Sequence, residues 1–349
     1  MAEPIRLLTA VPICDGHDSA INTINLELIR HGIEVVYLGY HRSTRDIVRA
    51  AIQEDVRAIG ISSYNGGHVE FFGEVLALLK KQHAAHIGVF GGGGGTITRA
   101  DAARLERKGV DRIFFAGTPL AEIVSFVKER YGAATRAILP AALSTSRAGL
   151  PARRIGITGP GGAGKTTLID ELVLRLLTAN PRARIAILSH DPSIVGKGAL
   201  LGDRAAMIYS QDDRVFMRSL ATHGRAGGLS PETARWLRRL KSSGGFDVIF
   251  AETVGVGQEA LPFRARDFDQ TVFVLGTDYG GRLQLQKIAM LDAADIVVVN
   301  KGDLAGAATA VAEIEQRIAV NRRGQRVIAT VAKRHRDPGV DRLFEEVRV

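Results

Sequence analysis

One octapeptide limits what this chain can fold into more than any other stretch. GPGGAGKT fits the pattern GxxxxGK[ST] at Gly159, Gly164, Lys165 and Thr166. The run RIGIT (154–158) before it is apolar and β-prone, and TLIDELVLRLL (167–177) after it has helical period. Strand, glycine loop and helix in that order demand a parallel α/β sheet with the loop at the strand's carboxyl end. Glycines let successive backbone N–H groups turn onto phosphate oxygens, at the end of a helix whose dipole favours anions. The expected phosphate cradle is Gly159, Gly161, Gly162, Ala163, Gly164, Lys165, Thr166 and Thr167. Lys165 reaches the β- and γ-phosphates, and the Thr166 hydroxyl holds Mg²⁺.

A second motif selects the base. NKGD (300–303) follows the apolar run DIVVV (295–299). An aspartate there can accept from the guanine N1 and N2 protons while Lys301 packs along the ring, so Asn300, Lys301 and Asp303 imply guanine rather than adenine. Val331 and Ala332 close the last apolar run, RVIATVA (326–332), where the ring edge is expected. Between the two motifs stand three candidate Mg²⁺ carboxylates. Asp191 lies in HDPS (190–193), Asp203 in GALLGDRAAM (198–207) and Glu252 at the end of DVIFAE (247–252). Asp191 precedes proline, and its alternative reading is a cap or turn. Gly255 can offer its N–H to the γ-phosphate, and Gln258 either orients water or contacts a partner.

The chain of 349 residues is long enough for two domains, and 46% hydrophobic with 24% charged residues is globular in composition. No apolar run reaches the roughly 18–20 residues of a membrane span. Its one cysteine, Cys14, excludes an internal disulfide and fits the cytoplasm; a small buried hydrophobe is its expected role. Residues 1–131 hold 15 Lys+Arg and 15 Asp+Glu, so the net charge of +9 lies in the second half. It is scattered there without interleaved aromatics, which argues against nucleic acid.

Apolar runs IRLLTAV (5–11), VVYLG (35–39), AIGIS (58–62), HIGVFG (86–91) and RIFFAG (112–117) alternate with helical spacing at 20–32, 43–55 and 68–82. That rhythm predicts a first parallel α/β domain over 1–131. Residues 132–152, rich in Ala, Ser, Thr and Pro, read as a linker, and a second α/β domain is expected over 153–349. Both sheets are expected to be doubly wound.

The first domain gathers polar and glycine residues at its strand ends. DGHDSA (15–20) falls after the first strand, where open sheets bind ligands. His17 can ligate a metal through one ring nitrogen while Asp15 accepts the proton of the other. SSYNGGH (62–68) closes the third strand, Gly91 to Gly95 the fourth, and Ala116, Gly117 and Thr118 the fifth. Five glycines remove every side chain from one strand mouth, at a cost in conformational entropy. The expectation is a large flat ligand against that backbone.

These residues resemble the cobalamin-binding domain of adenosylcobalamin-dependent acyl-CoA mutases, with its DxHxxG, SxL and GG pattern on a flavodoxin-like fold. The resemblance implies His17 as the lower cobalt ligand, Asp15 as its partner, and Ser62, Tyr64, Gly91, Gly92, Gly117 and Thr118 around the cofactor. Ala20 stands where the last Gly of DxHxxG is expected, and Tyr64 replaces Leu. In the second half, ILSHDPS, GALLGDR, ETVGVGQ and NKGD are similar to the P-loop GTPases of the MeaB type, which act as chaperones for such mutases. The order of the two halves looks like that of the fused isobutyryl-CoA mutases. Those enzymes continue into a substrate barrel of about 250 residues, for which this sequence leaves no room. The resemblance implies adenosylcobalamin, GTP or GDP and Mg²⁺ as cofactors. It implies an acyl-CoA mutase substrate subunit and a cobalamin adenosyltransferase as partners, with self-association of the chain. The implied work is gating cofactor loading for isobutyryl-CoA rearrangement, or serving another acyl-CoA mutase such as methylmalonyl-CoA mutase. Rival readings are a nickel-delivery GTPase, which needs a Cys/His cluster that one cysteine cannot supply, and a cobalamin-sensing regulator, which needs a DNA-binding module. A first domain that only docks a partner is a third.

Overall fold

The computed structural model describes residues 4–13, 15, 19–133, 152–193, 197–225, 227–255, 263, 267–277, 289–320 and 324–348. They form two compact units, Met1–Pro140 with Ser193–Ala205, and Ala141–Pro192 with Ala206–Val349. The expected linker lies mostly outside the described residues, as do Cys14, His17 and Gln258.

The first unit carries β1 (Arg6–Ala10), α1 (Ser19–Arg30), β2 (Glu34–Tyr37), α2 (Thr44–Gln53), β3 (Ala58–Ser62), α3 (His68–Lys81), β4 (Gly88–Gly93), α4 (Arg99–Lys108), β5 (Arg112–Phe115) and α5 (Leu120–Tyr131). Its strands pair in parallel in the order β5-β4-β3-β1-β2, the doubly wound flavodoxin-like order. Helices pack on the sheet, so strands such as RLLTA are buried at every position. Leu7, Val35, Ala58, Phe90 and Phe114 join Val127 and Tyr131 of α5 in one core. Ser43 caps α2 by accepting from the Asp46 N–H at 3.1 Å, as its position predicts. The order reverses between β1 and β3, and ligands of such sheets bind at that crevice.

The sheet has one more strand. β8 (Ala199–Leu201) pairs in parallel with β2, in register Glu34↔Ala199 to Val36↔Leu201. Residues 193–205 thus belong to the first unit, not to a contiguous second domain over 153–349. The physical reason is burial: Ala199 and Leu201 are 2% and 0% exposed in that sheet.

The second unit holds β6 (Arg153–Thr158), α6 (Lys165–Ala179), β7 (Ile185–Asp191), β9 (Val215–Ala221), α8 (Thr233–Ser242), β10 (Val248–Glu252), β11 (Gln270–Leu275), β12 (Ile296–Val299), α10 (Ala307–Ala319), β13 (Arg326–Ala329) and α11 (Pro338–Val347). The short helices α7 (Asp203–Ala206) and α9 (Ala289–Ala293) complete the chain order. Seven strands run in parallel as β13-β12-β11-β6-β10-β7-β9, with the glycine-loop strand β6 central. Two features depart from expectation. β9 is a fully buried strand with no counterpart among the apolar runs, and its Arg218 lies 4.5 Å from the Trp236 ring centroid. β13 ends at Ala329, so Val331 and Ala332 fall in the turn beyond it.

Candidate nucleotide and cofactor sites

The glycine loop emerges from β6 and enters α6 through Gly164, whose φ of 88° suits glycine. A Cβ on Gly164 would also collide with the Asn300 amide nitrogen. Gly161 and Gly162 differ: a Cβ there would meet nothing within 4 Å. Two loop glycines therefore face open space, and a third serves packing. Lys165 is 5% exposed, and its Nζ donates to the Gly159 and Pro160 carbonyls at 3.0 and 3.1 Å. Those bonds hold the ammonium over the loop.

Thr166 Oγ1 donates to Glu252 Oε1 at 2.8 Å. That contact joins the start of α6 to the end of β10 and brings together a hydroxyl and a carboxylate of the type Mg²⁺ prefers. Asp191 ends β7 and is 8% exposed. His190 beside it is buried. Its Nδ1 bonds the Glu252 carbonyl at 2.6 Å and its Nε2 the Thr233 hydroxyl at 2.7 Å. Burial lowers its pKa to about 4, so the ring is neutral and donates through Nδ1. It steadies Glu252 from behind, a role the sequence reading missed. Gly255 lies so close to the loop that a Cβ would collide with Gly161. Asp203 opens the short helix α7 and belongs to the first unit. Thr167 is on the exposed side of α6.

The base motif divides its labour. Asn300 is buried, and its Nδ2 donates to the Ala163 carbonyl at 2.9 Å. Its Oδ1 accepts from Thr330 Oγ1 at 3.1 Å and from the Ala332 N–H at 3.0 Å. Asn300 is thus a brace between the glycine loop and the turn after β13, and the Ala332 N–H is engaged with it. Lys301 sits at φ 60°, a left-handed conformation uncommon for a residue with a Cβ. Asp303 pairs with Lys333 Nζ at 2.6 Å, and that cation lowers its pKa. Lys333 was not foreseen, since no local pattern links it to NKGD.

In the first unit Asp15 is 0% exposed and follows β1. Its Oδ2 accepts from the backbone N–H groups of Tyr64 and of Asn65, the latter at 3.2 Å. Asp15 therefore ties the loop after β1 to the loop after β3, across the point where the strand order reverses. Its expected pairing with His17 lies outside the described residues. Ser62 stands in register with Gly92. Thr118 Oγ1 donates to the Phe115 carbonyl at 2.8 Å, which closes the turn after β5.

The glycine tract has a different physical reason from the one its composition suggested. At Gly91 a Cβ would collide with the Ile61 carbonyl and the Phe72 ring; at Gly93 with the Ser63 carbonyl; at Gly94 with the Tyr64 ring. The protein's own atoms use that space. Open positions lie around it, at Gly66, Gly67, Gly95 and Gly117, where a Cβ would meet nothing within 4 Å.

A family model described as methylmalonyl Co-A mutase-associated GTPase MeaB matches residues 120–349. The chain belongs to the MeaB GTPase family. A model described as the B12 binding domain matches residues 5–124, ahead of it. This MeaB-family GTPase thus carries a cobalamin domain in the same chain, and its small-molecule partners are a guanine nucleotide and a cobalamin. It is 35% identical, over 97% of its length, to a fused isobutyryl-CoA mutase of Geobacillus kaustophilus, and 36% identical over 99% to that of Nocardia farcinica. It spans only 36% of either relative. A putative GTPase of Pyrococcus horikoshii is 43% identical over 44% of this chain and 48% of its own. Among the described residues no helix is long and apolar enough to cross a membrane.

Proposed function

We propose that this chain is the cobalamin-carrying and GTP-hydrolysing part of an acyl-CoA mutase system in the cytoplasm, with isobutyryl-CoA as the substrate of the assembled enzyme. The observation that carries this reading is the order of the two matched domains along the chain, which is shared over nearly its whole length with proteins named fused isobutyryl-CoA mutase. In this account residues 1–131 hold adenosylcobalamin, residues 132–152 link, and residues 153–349 supply most of the nucleotide site. His17 would ligate the cobalt. Asp15, Ser62, Tyr64, Gly91, Gly92, Gly117 and Thr118 shape the mouth around it. Adenosylcobalamin supplies radical chemistry when bound, and the residues of this chain seat it and regulate its entry.

In the second domain Lys165 neutralises phosphate charge. Thr166 and Glu252, already hydrogen-bonded to each other, would hold Mg²⁺ with Asp191 of the same unit. Asp303 reads guanine. A separate acyl-CoA-binding subunit or domain completes the mutase, an adenosyltransferase delivers the cofactor, and the chain self-associates.

The test is reconstitution. Isobutyryl-CoA, adenosylcobalamin and Mg·GTP are incubated with this chain, with and without a separately expressed acyl-CoA-binding mutase subunit. Butyryl-CoA formed only when both proteins are present supports the proposal. A subunit that turns over methylmalonyl-CoA but not isobutyryl-CoA with this chain rejects the substrate assignment.

A further inference from the structure

We infer that Arg175, with Glu171 and His335, positions the guanine site by clamping the loop beyond β13 onto α6, an inference that rests on the guanine-nucleotide reading and deepens it. None of these residues belongs to the glycine loop or to NKGD.

Residues 330–337 connect the end of β13 to the start of α11. The first part of this loop meets the base motif. Thr330 Oγ1 and the Ala332 N–H both donate to Asn300 Oδ1, and Lys333 pairs with Asp303. Two short turns follow, with the Arg334 N–H on the Val331 carbonyl at 2.8 Å and the Asp337 N–H on the Arg334 carbonyl at 3.2 Å. Asp337 then caps α11 by accepting from the Val340 N–H at 2.9 Å. The loop is compact, so a displacement of its last residues is passed to Ala332 and Lys333.

Those last residues are held by α6. Arg175 lies on that helix with its side chain 10% exposed. Its Nη1 donates to Glu171 Oε2 at 2.7 Å, its Nε to Asp341 Oδ1 of α11 at 2.7 Å, and its Nη2 to the His335 carbonyl at 3.2 Å. His335 closes the ring, because its Nδ1 donates to Glu171 Oε1 at 2.6 Å. Glu171 is 4% exposed, and each of its oxygens is thus engaged. A planar guanidinium donates in several fixed directions at once, which lets Arg175 join one helix, the loop and the next helix.

α6 begins at Lys165 and Thr166 of the phosphate loop. At a rise of 1.5 Å per residue, Arg175 stands about 15 Å along the axis from Lys165. One rigid helix therefore serves the phosphates at its start and fixes the base-side loop further along. The base and phosphates of a nucleotide are covalently joined, so a site that reads both needs its two loops at a set separation. Val340, Leu343 and Val347 of α11 share a core with Leu168, Leu172 and Leu176 of α6, but apolar contact is non-directional. The hydrogen-bonded clamp supplies the direction. Removing the cation from a buried carboxylate is strongly disfavoured, which keeps the clamp closed.

The experiment titrates the full chain with Mg·GTP, Mg·ATP and magnesium tripolyphosphate, the last of which has no base. Arg175→Met should weaken GTP binding about tenfold, the scale of one degraded hydrogen bond to a charged group. It should narrow the preference for GTP over ATP by a similar factor and leave tripolyphosphate binding where it was. Arg175→Lys should recover part of the loss, since its ammonium still meets Glu171. His335→Ala removes one bond from an exposed side chain and should shift the same preference in the same direction by less, which covers a poorly folding Arg175→Met. Equal losses for GTP and tripolyphosphate, or a GTP preference at the wild-type level in both variants, overturn the positioning role alone. Wild-type chain that binds GTP no better than ATP overturns the guanine reading and the positioning role with it.

Discussion

The mouths of the two sheets are built in opposite ways. The nucleotide mouth is braced by its own motif residues: Lys165 on the loop carbonyls, Thr166 on Glu252, and Asn300 across three partners. The cobalamin mouth is made chiefly of room. Asp15 ties the Tyr64 and Asn65 amides there, and around it lie glycines with open space. The contrast follows from ligand size. A phosphate is gripped atom by atom, which fixes residue types at short spacing. A corrin is accommodated by clearance, which fixes only where side chains are missing.

The variants that break this comparison range from chemistry to packing. Lys165→Ala should lower GTP hydrolysis about a thousandfold, the scale of losing one preorganised charge donor, and leave cobalamin binding measurable. Asp303→Asn should weaken GTP binding about a hundredfold, since two hydrogen bonds to a charged acceptor are degraded; competition of GTP against ATP in a binding assay reads it. A GTP affinity that survives the change would move base recognition away from NKGD.

Stability variants separate the units because the single tryptophan, Trp236, is buried in the second one. Asn300→Ala should cost about 2–3 kcal/mol through the buried partners it abandons, seen as an earlier fluorescence transition in urea. Gly91→Ala should cost about 1–3 kcal/mol by overpacking. It should appear in the circular dichroism transition of the first unit while the Trp236 transition stays put. Asp15→Asn is the mildest, about 1 kcal/mol, because an acceptor oxygen remains but its charge is gone. If Asp15 also orients a cobalt ligand, that variant should weaken cobalamin binding by more than its stability cost explains.

Much of this was legible in the sequence because backbone requirements leave letters behind. The glycine loop, its flanking strand and helix, and the five-strand rhythm of the first unit all stand where their patterns put them. What escaped was long-range pairing. β8 is three residues that find their partner in β2, far upstream in the chain. β9 hides because Arg218 interrupts an apolar run, yet the guanidinium is buried against Trp236. Asn300 looked like a base contact and is a brace, since a four-residue motif does not reveal that Ala163, Thr330 and Ala332 converge on it. The glycine tract was legible as missing side chains, but not as space that Phe72 and Tyr64 already use.

The most direct test of the account is a titration of the purified chain with adenosylcobalamin, following the visible spectrum with and without Mg·GTP, for the wild type and His17→Ala. The account predicts a histidine-ligated, base-off spectrum that depends on nucleotide and disappears in the variant. Absence of any cobalamin binding, or a spectrum indifferent to His17→Ala, would contradict it.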